Sequence, residues 1–65
     1  MPSGSAADRV LTALRMWPGG LSEEWLAQQL RLRKGTVKKA LARLHSQALV
    51  IRVMREDRFV WKIRL

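Results

Sequence analysis

The chain has 65 residues, with 13 Lys and Arg against 5 Asp and Glu, one His and no Cys, for a formal charge of +8 and a pI near 11.7. At this length folding removes from water only roughly 60% of the surface the unfolded chain exposes, so one small domain without a deep catalytic cavity is expected. The missing cysteines exclude disulfides, thiolate nucleophiles and Cys-ligated zinc, His45 alone builds no metal site, and the charge points to a polyanion: nucleic acid, an anionic membrane or an acidic protein.

Residues 1–5 read as a flexible leader of small residues with Pro2 and no apolar run. They lack the hydrophobic segment of a signal peptide, and no stretch offers the ~18 consecutive apolar residues that span a bilayer, so a cytoplasmic or nucleoid-associated protein is expected. Ser5 followed by Asp8 fits a variant capping box that opens a first helix over about 6–17. Val10, Leu14 and Trp17 fall at i, i+4 and i+7 with Ala7 and Leu11 beside them, which places Trp17 in the core. Pro18-Gly19-Gly20 stops that helix, and Leu21 forms a short extended link. Ser22 then caps a second helix over about 22–30, with Glu23 and Glu24 complementing its positive end and Leu26 and Leu30 on its buried side.

A third helix is indicated over about 34–47, where Val37, Leu41, Leu44 and Ala48 repeat at helical spacing. At 100° per residue, Gly35, Lys38, Lys39, Ala42, Arg43 and Ser46 occupy the opposite arc. The charge is concentrated here. Residues 31–43 hold Arg31, Arg33, Lys34, Lys38, Lys39 and Arg43 with no acid, +6, whereas residues 1–30 sum to −1. Whatever this stretch forms is the candidate contact surface. The period then changes to two over 49–65, as in a β-hairpin. Leu49, Ile51, Val53, Phe59, Trp61, Ile63 and Leu65 are expected on its inner face, and Arg52, Arg58, Lys62 and Arg64 on its outer face. Trp61 is expected in the core. Trp25 lies about 100° from Leu26 and is either core edge or an anchor for a partner.

The resulting fold class is α+β and mostly helical, a domain over 6–65 of three helices followed by a two-stranded hairpin. Residues 21–44 resemble the helix-turn-helix core of bacterial and phage winged-helix transcriptional regulators through Leu26-Ala27, Leu30, Leu32, Thr36-Val37 and the pair Leu41 and Leu44. Ala48-Leu49-Val50 resembles the Gly-Leu-Val that commonly leads into the wing of such domains. The resemblance implies sequence-directed double-stranded DNA binding, with the third helix in the major groove. It implies contacts from Arg33, Lys34, Thr36, Lys38, Lys39 and Arg43, with Gly35 and Ala42 letting the helix seat closely and Arg55 and Arg58 contacting DNA from the wing. Transcriptional regulation or another phage- or plasmid-type DNA transaction is the role so implied, without cofactor or metal. Phe59-Val60-Trp61-Lys62-Ile63 resembles a strand of Z-form-binding winged helices, but Lys38 and Ala42 stand where those domains carry Asn and Tyr, which argues against Z-form recognition.

Two positions depart from the pattern. Arg33 stands where a Ser or Thr cap is usual, and Ala48 replaces a Gly, which strains the chain if that residue takes positive φ. No paired carboxylates, Ser-His-acid set or Gly-rich phosphate loop is present, so an enzyme is not expected. The alternative is a protein-interaction module that uses Trp25, Met16 and the wing, with a homodimer or a larger protein as partner.

Overall fold

A computed structural model describes residues 5–64. Helix α1 spans Ala6–Met16, α2 Glu23–Leu30 and α3 Lys34–Ser46; strands β1, Val50–Arg55, and β2, Arg58–Ile63, form an antiparallel hairpin. Met1 to Gly4 of the expected leader, and Leu65 of the expected inner face, lie outside the described residues. The three helices and the hairpin stand in the order the sequence indicates.

Side-chain caps start the first two helices. Ser5 Oγ accepts from the Asp8 amide and Ser22 Oγ from the Trp25 amide, each at 3.1 Å, so each serine satisfies one of the amides that a first turn leaves unpaired. Arg33 precedes α3 in an extended conformation and makes no side-chain cap.

Both α2 and α3 end on a left-handed residue that is not glycine. After α2, Arg31 takes φ 55°, its amide donates to the Gln28 carbonyl at 3.4 Å, and the Leu32 amide donates to the Ala27 carbonyl at 2.9 Å. After α3, Ala48 takes φ 59°, its amide reaches the His45 carbonyl at 2.9 Å, and the Leu49 amide reaches the Leu44 carbonyl at 3.0 Å. Both are Schellman closures, a geometry that glycine fits best. The positive φ at Ala48 is the strained alternative. Arg9, on α1, reaches across to the end of α2, where its Nη2 donates to the Leu30 carbonyl at 2.6 Å.

Val10, Leu14, Leu26, Val37, Leu41 and Val50 are the largest fully buried side chains, one or two from each helix and one from β1. Trp61, 7% exposed, joins that core as expected. Leu21 and Trp61 exchange backbone hydrogen bonds of 2.9 and 2.8 Å, so the link before α2 acts as a third short strand on the free edge of β2. Gly20, at φ 103°, lies so close beneath β2 that a Cβ there would stand 2.9 Å from Lys62 Cγ and 3.0 Å from Val60 Cγ2.

Two expectations are corrected. Trp17 is 45% exposed rather than buried, because α1 stops at Met16 and Trp17 leaves the helical path at φ −124°, ψ 78°, so the helical repeat no longer places it. Strand β1 has the opposite phase. Val50 pairs with Ile63, Arg52 with Trp61 and Met54 with Phe59, so the inner face is Val50, Arg52, Met54, Phe59, Trp61 and Ile63. Ile51 lies on the outer face, 38% exposed, with Val53; Leu49 precedes the strand at 41% exposed, and Phe59, though on the inner face, is 47% exposed. Arg52, expected outside, lies with its guanidinium 4.4 Å from the Phe59 ring centroid and 5.9 Å from that of Trp61.

Candidate nucleic-acid interface

Helix α3 is fixed by one face and leaves the other free. Val37, Ala40, Leu41 and Leu44 are buried, so the helix cannot rotate without exposing the core. Lys38, Lys39, Ala42 and Arg43 therefore face solvent, and a Cβ added at Gly35 would meet nothing within 4 Å. Three cations thus flank a strip floored by a hydrogen and a methyl group, which keeps the helix backbone accessible to a ligand surface. Thr36 is half-buried at the edge of this strip, and Arg33 is exposed just before it.

Lys34 differs from the other cations because its ammonium lies 3.5 Å from a Glu24 carboxylate oxygen. Both side chains are mostly exposed, and pairs of this kind contribute ~0–1 kcal/mol, so Lys34 exchanges its partner for another anion at little cost.

Lys34 and Lys38 meet the hairpin across a cleft of about 350 Å³, whose other walls include Ser22, Glu24, Arg58 and Phe59. The structure thereby brings three expected contact residues, Lys34, Lys38 and Arg58, to one opening. Lys39 and Arg43 stay outside it on the open side of α3. Arg55 pairs with Arg58 at the last rung of the hairpin, and the two-residue tip Glu56-Asp57 closes with φ 46° and 67°, the positive values of a tight type I′ turn. The tip acids stand between the two arginines in sequence, so the end of the wing is mixed in charge.

Phe59 and Arg52 are site residues that the sequence reading missed. Phe59 presents an exposed ring on the cleft wall, with Arg52 over it in cation–π geometry. The signal was the in-phase alternation of Arg52 with Phe59 and Trp61, hidden by the wrong phase for β1. Arg31, exposed in the turn before α3, adds a cation at the near end. Trp61 holds the hairpin against the helices. Its Nε1 donates to Glu23 Oε2 at 3.3 Å, and its ring meets His45 edge-on, 5.7 Å between centroids. His45 is thus occupied as a packing partner.

Trp25 lies away from this surface. It is half-buried against the core, and its ring stands 5.2 Å from that of Trp17. Among the described residues no cluster of three or more His, Cys, Asp or Glu side chains is placed to hold a metal ion, and no helix is long and apolar enough to cross a membrane. The chain matches no family model, no curated protein and no solved structure.

Proposed function

We propose that this chain is a winged helix-turn-helix domain that binds double-stranded DNA, inserting α3 into the major groove and laying the hairpin along the backbone. The observation that carries the reading is the free face of α3: Lys38, Lys39 and Arg43 around Gly35 and Ala42, without an acid, on a helix locked by its buried side. At 13 residues α3 is about 20 Å long, and the major groove is about 12 Å wide, which admits one helix with its side chains. Arg33, Lys34 and Thr36 lie at the end of α3 that approaches base edges in such docking, while Lys39 and Arg43 reach phosphates. Arg55 and Arg58 add backbone contacts from the wing. Transcriptional control, or another transaction on phage or plasmid DNA, is the role this activity serves.

Titration of random-sequence duplex DNA at several salt concentrations tests the reading. With about five phosphates neutralised, log K against log salt should slope by roughly −4.5, and the double charge reversal Lys38→Glu, Lys39→Glu should abolish binding while the far-ultraviolet spectrum is unchanged. A slope near zero, or full affinity in the double variant, refutes the proposed interface.

A further inference from the structure

A second surface lies on the opposite kind of chemistry. Between α1 and α2 runs a groove of about 540 Å³ whose walls include Asp8, Thr12, Met16, Trp17, Trp25 and Leu30. Met16 is 67% exposed and Trp17 45%, so two large apolar side chains stand proud beside a largely apolar trough. Met16 and Trp17 thus extend the trough into one contiguous apolar surface that a partner could cover.

Charge distribution identifies the occupant. The groove walls carry one acid, Asp8, and one base, Arg9, whereas α3 and the hairpin hold most of the cations and the cleft between them takes Glu23 and Glu24, so the excess charge lies away from the groove. Two copies of a +8 chain repel in most orientations, and the arrangement that relieves this sets their α1–α2 sides face to face. A two-fold interface also requires a patch that is its own complement. Helix α1 meets that condition, with Asp8 in its first turn and Arg15 in its last. Seven residues place them about 10 Å apart along the axis and only about 20° apart around it, and both are exposed.

We propose that the exposed ridge of α1 that borders this groove, Asp8, Thr12 and Arg15, docks a second copy of the chain, α1 packing antiparallel on α1 about a two-fold axis near Thr12. Antiparallel packing sets Asp8 of each copy level with Arg15 of the other, whereas parallel packing sets like against like. The small Thr12 at the centre permits close approach, and Met16 and Trp17 of each copy cover the trough of the other. Arg9 also lines the groove, with its guanidinium drawn towards the Leu30 carbonyl at the end of α2.

Sedimentation equilibrium of the whole chain without DNA tests this directly, at about 0.15 M salt, where the ~8 Å Debye length damps repulsion between distant charges more than attraction between pairs in contact. A concentration-dependent dimer is expected, weakened at least tenfold by Met16→Glu, whose exposed site leaves folding intact. Asp8→Arg and Arg15→Asp should each weaken it, and the two together should restore it, with circular dichroism verifying that every variant is folded. A chain that stays monomeric at every concentration overturns the proposal. So does a dimer indifferent to Met16→Glu, or a double reversal that fails to restore association. Capture of a different protein by a monomeric chain assigns the groove to another occupant and equally overturns it. Since DNA is absent from the experiment, its outcome is independent of the DNA-binding reading.

Discussion

Replacing alanine by glycine should raise stability at Ala48 and lower it at Ala42. Ala48 sits at φ 59°, in the left-handed region, and is exposed. That conformation costs an L-residue roughly 1–2 kcal/mol, a cost that glycine escapes. Glycine gives part of the advantage back, because its unfolded chain is freer by about 0.4–1 kcal/mol. Ala48→Gly should therefore stabilise the domain by about 1 kcal/mol net, keeping the Ala48 and Leu49 amide hydrogen bonds in place. Ala42 is exposed within α3, where the same replacement costs ~0.8–1.0 kcal/mol with no compensating relief. The two variants should differ by about 2 kcal/mol. In a domain of this size each kcal/mol moves the thermal midpoint by about 4–8 °C, well within reach of melts followed by circular dichroism. Equal effects at the two sites, or a loss at Ala48, would refute the assignment of a strained left-handed closure after α3.

Arg31→Gly removes the same strain at the α2–α3 turn, φ 55°, and should also raise the melting midpoint. If Arg31 meets a phosphate, the variant's salt dependence for DNA should flatten by about 0.9 in slope, so stability rises while affinity falls. Gly20→Ala should lower stability by roughly 1–3 kcal/mol in urea unfolding, because φ is 103° and the added Cβ meets Lys62, Val60 and the Trp61 carbonyl. Gly19→Ala, with nothing within 4 Å of the new methyl group, is the control and should be close to neutral.

The sequence made the helices legible because each carries a single apolar stripe and a recognisable start or stop. Ser5, Ser22 and Pro18-Gly19-Gly20 fixed ends to within a residue or two. Trp17 was misplaced because periodicity holds only while the helix continues, and the chain departs one residue earlier than the spacing requires. In β1 both phases of Val50-Ile51-Arg52-Val53-Met54 contain apolar residues, so alternation alone could not decide. The phase with Ile51 and Val53 avoids burying a charge, which made it the natural choice. The structure selects the other phase because the closure at Ala48 and Leu49 delivers Val50 into the core, and the Phe59 and Trp61 rings accept the Arg52 guanidinium. The basic face of α3 was legible in full, since it needed only a count of charges and a helical wheel. The cleft was not, because Lys34, Lys38 and Arg58 converge through tertiary packing.

The bond between Leu21 and Trp61 has a consequence for the order in which the molecule assembles. The hairpin closes through a two-residue turn, whereas the Trp61 side chain and Glu23 are 38 residues apart. Loop-closure entropy makes the longer connection costlier by about 2–3 kcal/mol if only chain length is counted. On chain length alone, helices and hairpin are the local units expected to form earlier, and the seam along Leu21 and Trp61 is expected to close last, once α1 and α3 have brought its two sides together. What forms last with few bonds also opens first. Amide exchange at Leu21 and Trp61 should therefore outpace that of the buried turns of α3, marking the place where the hairpin parts from the helices.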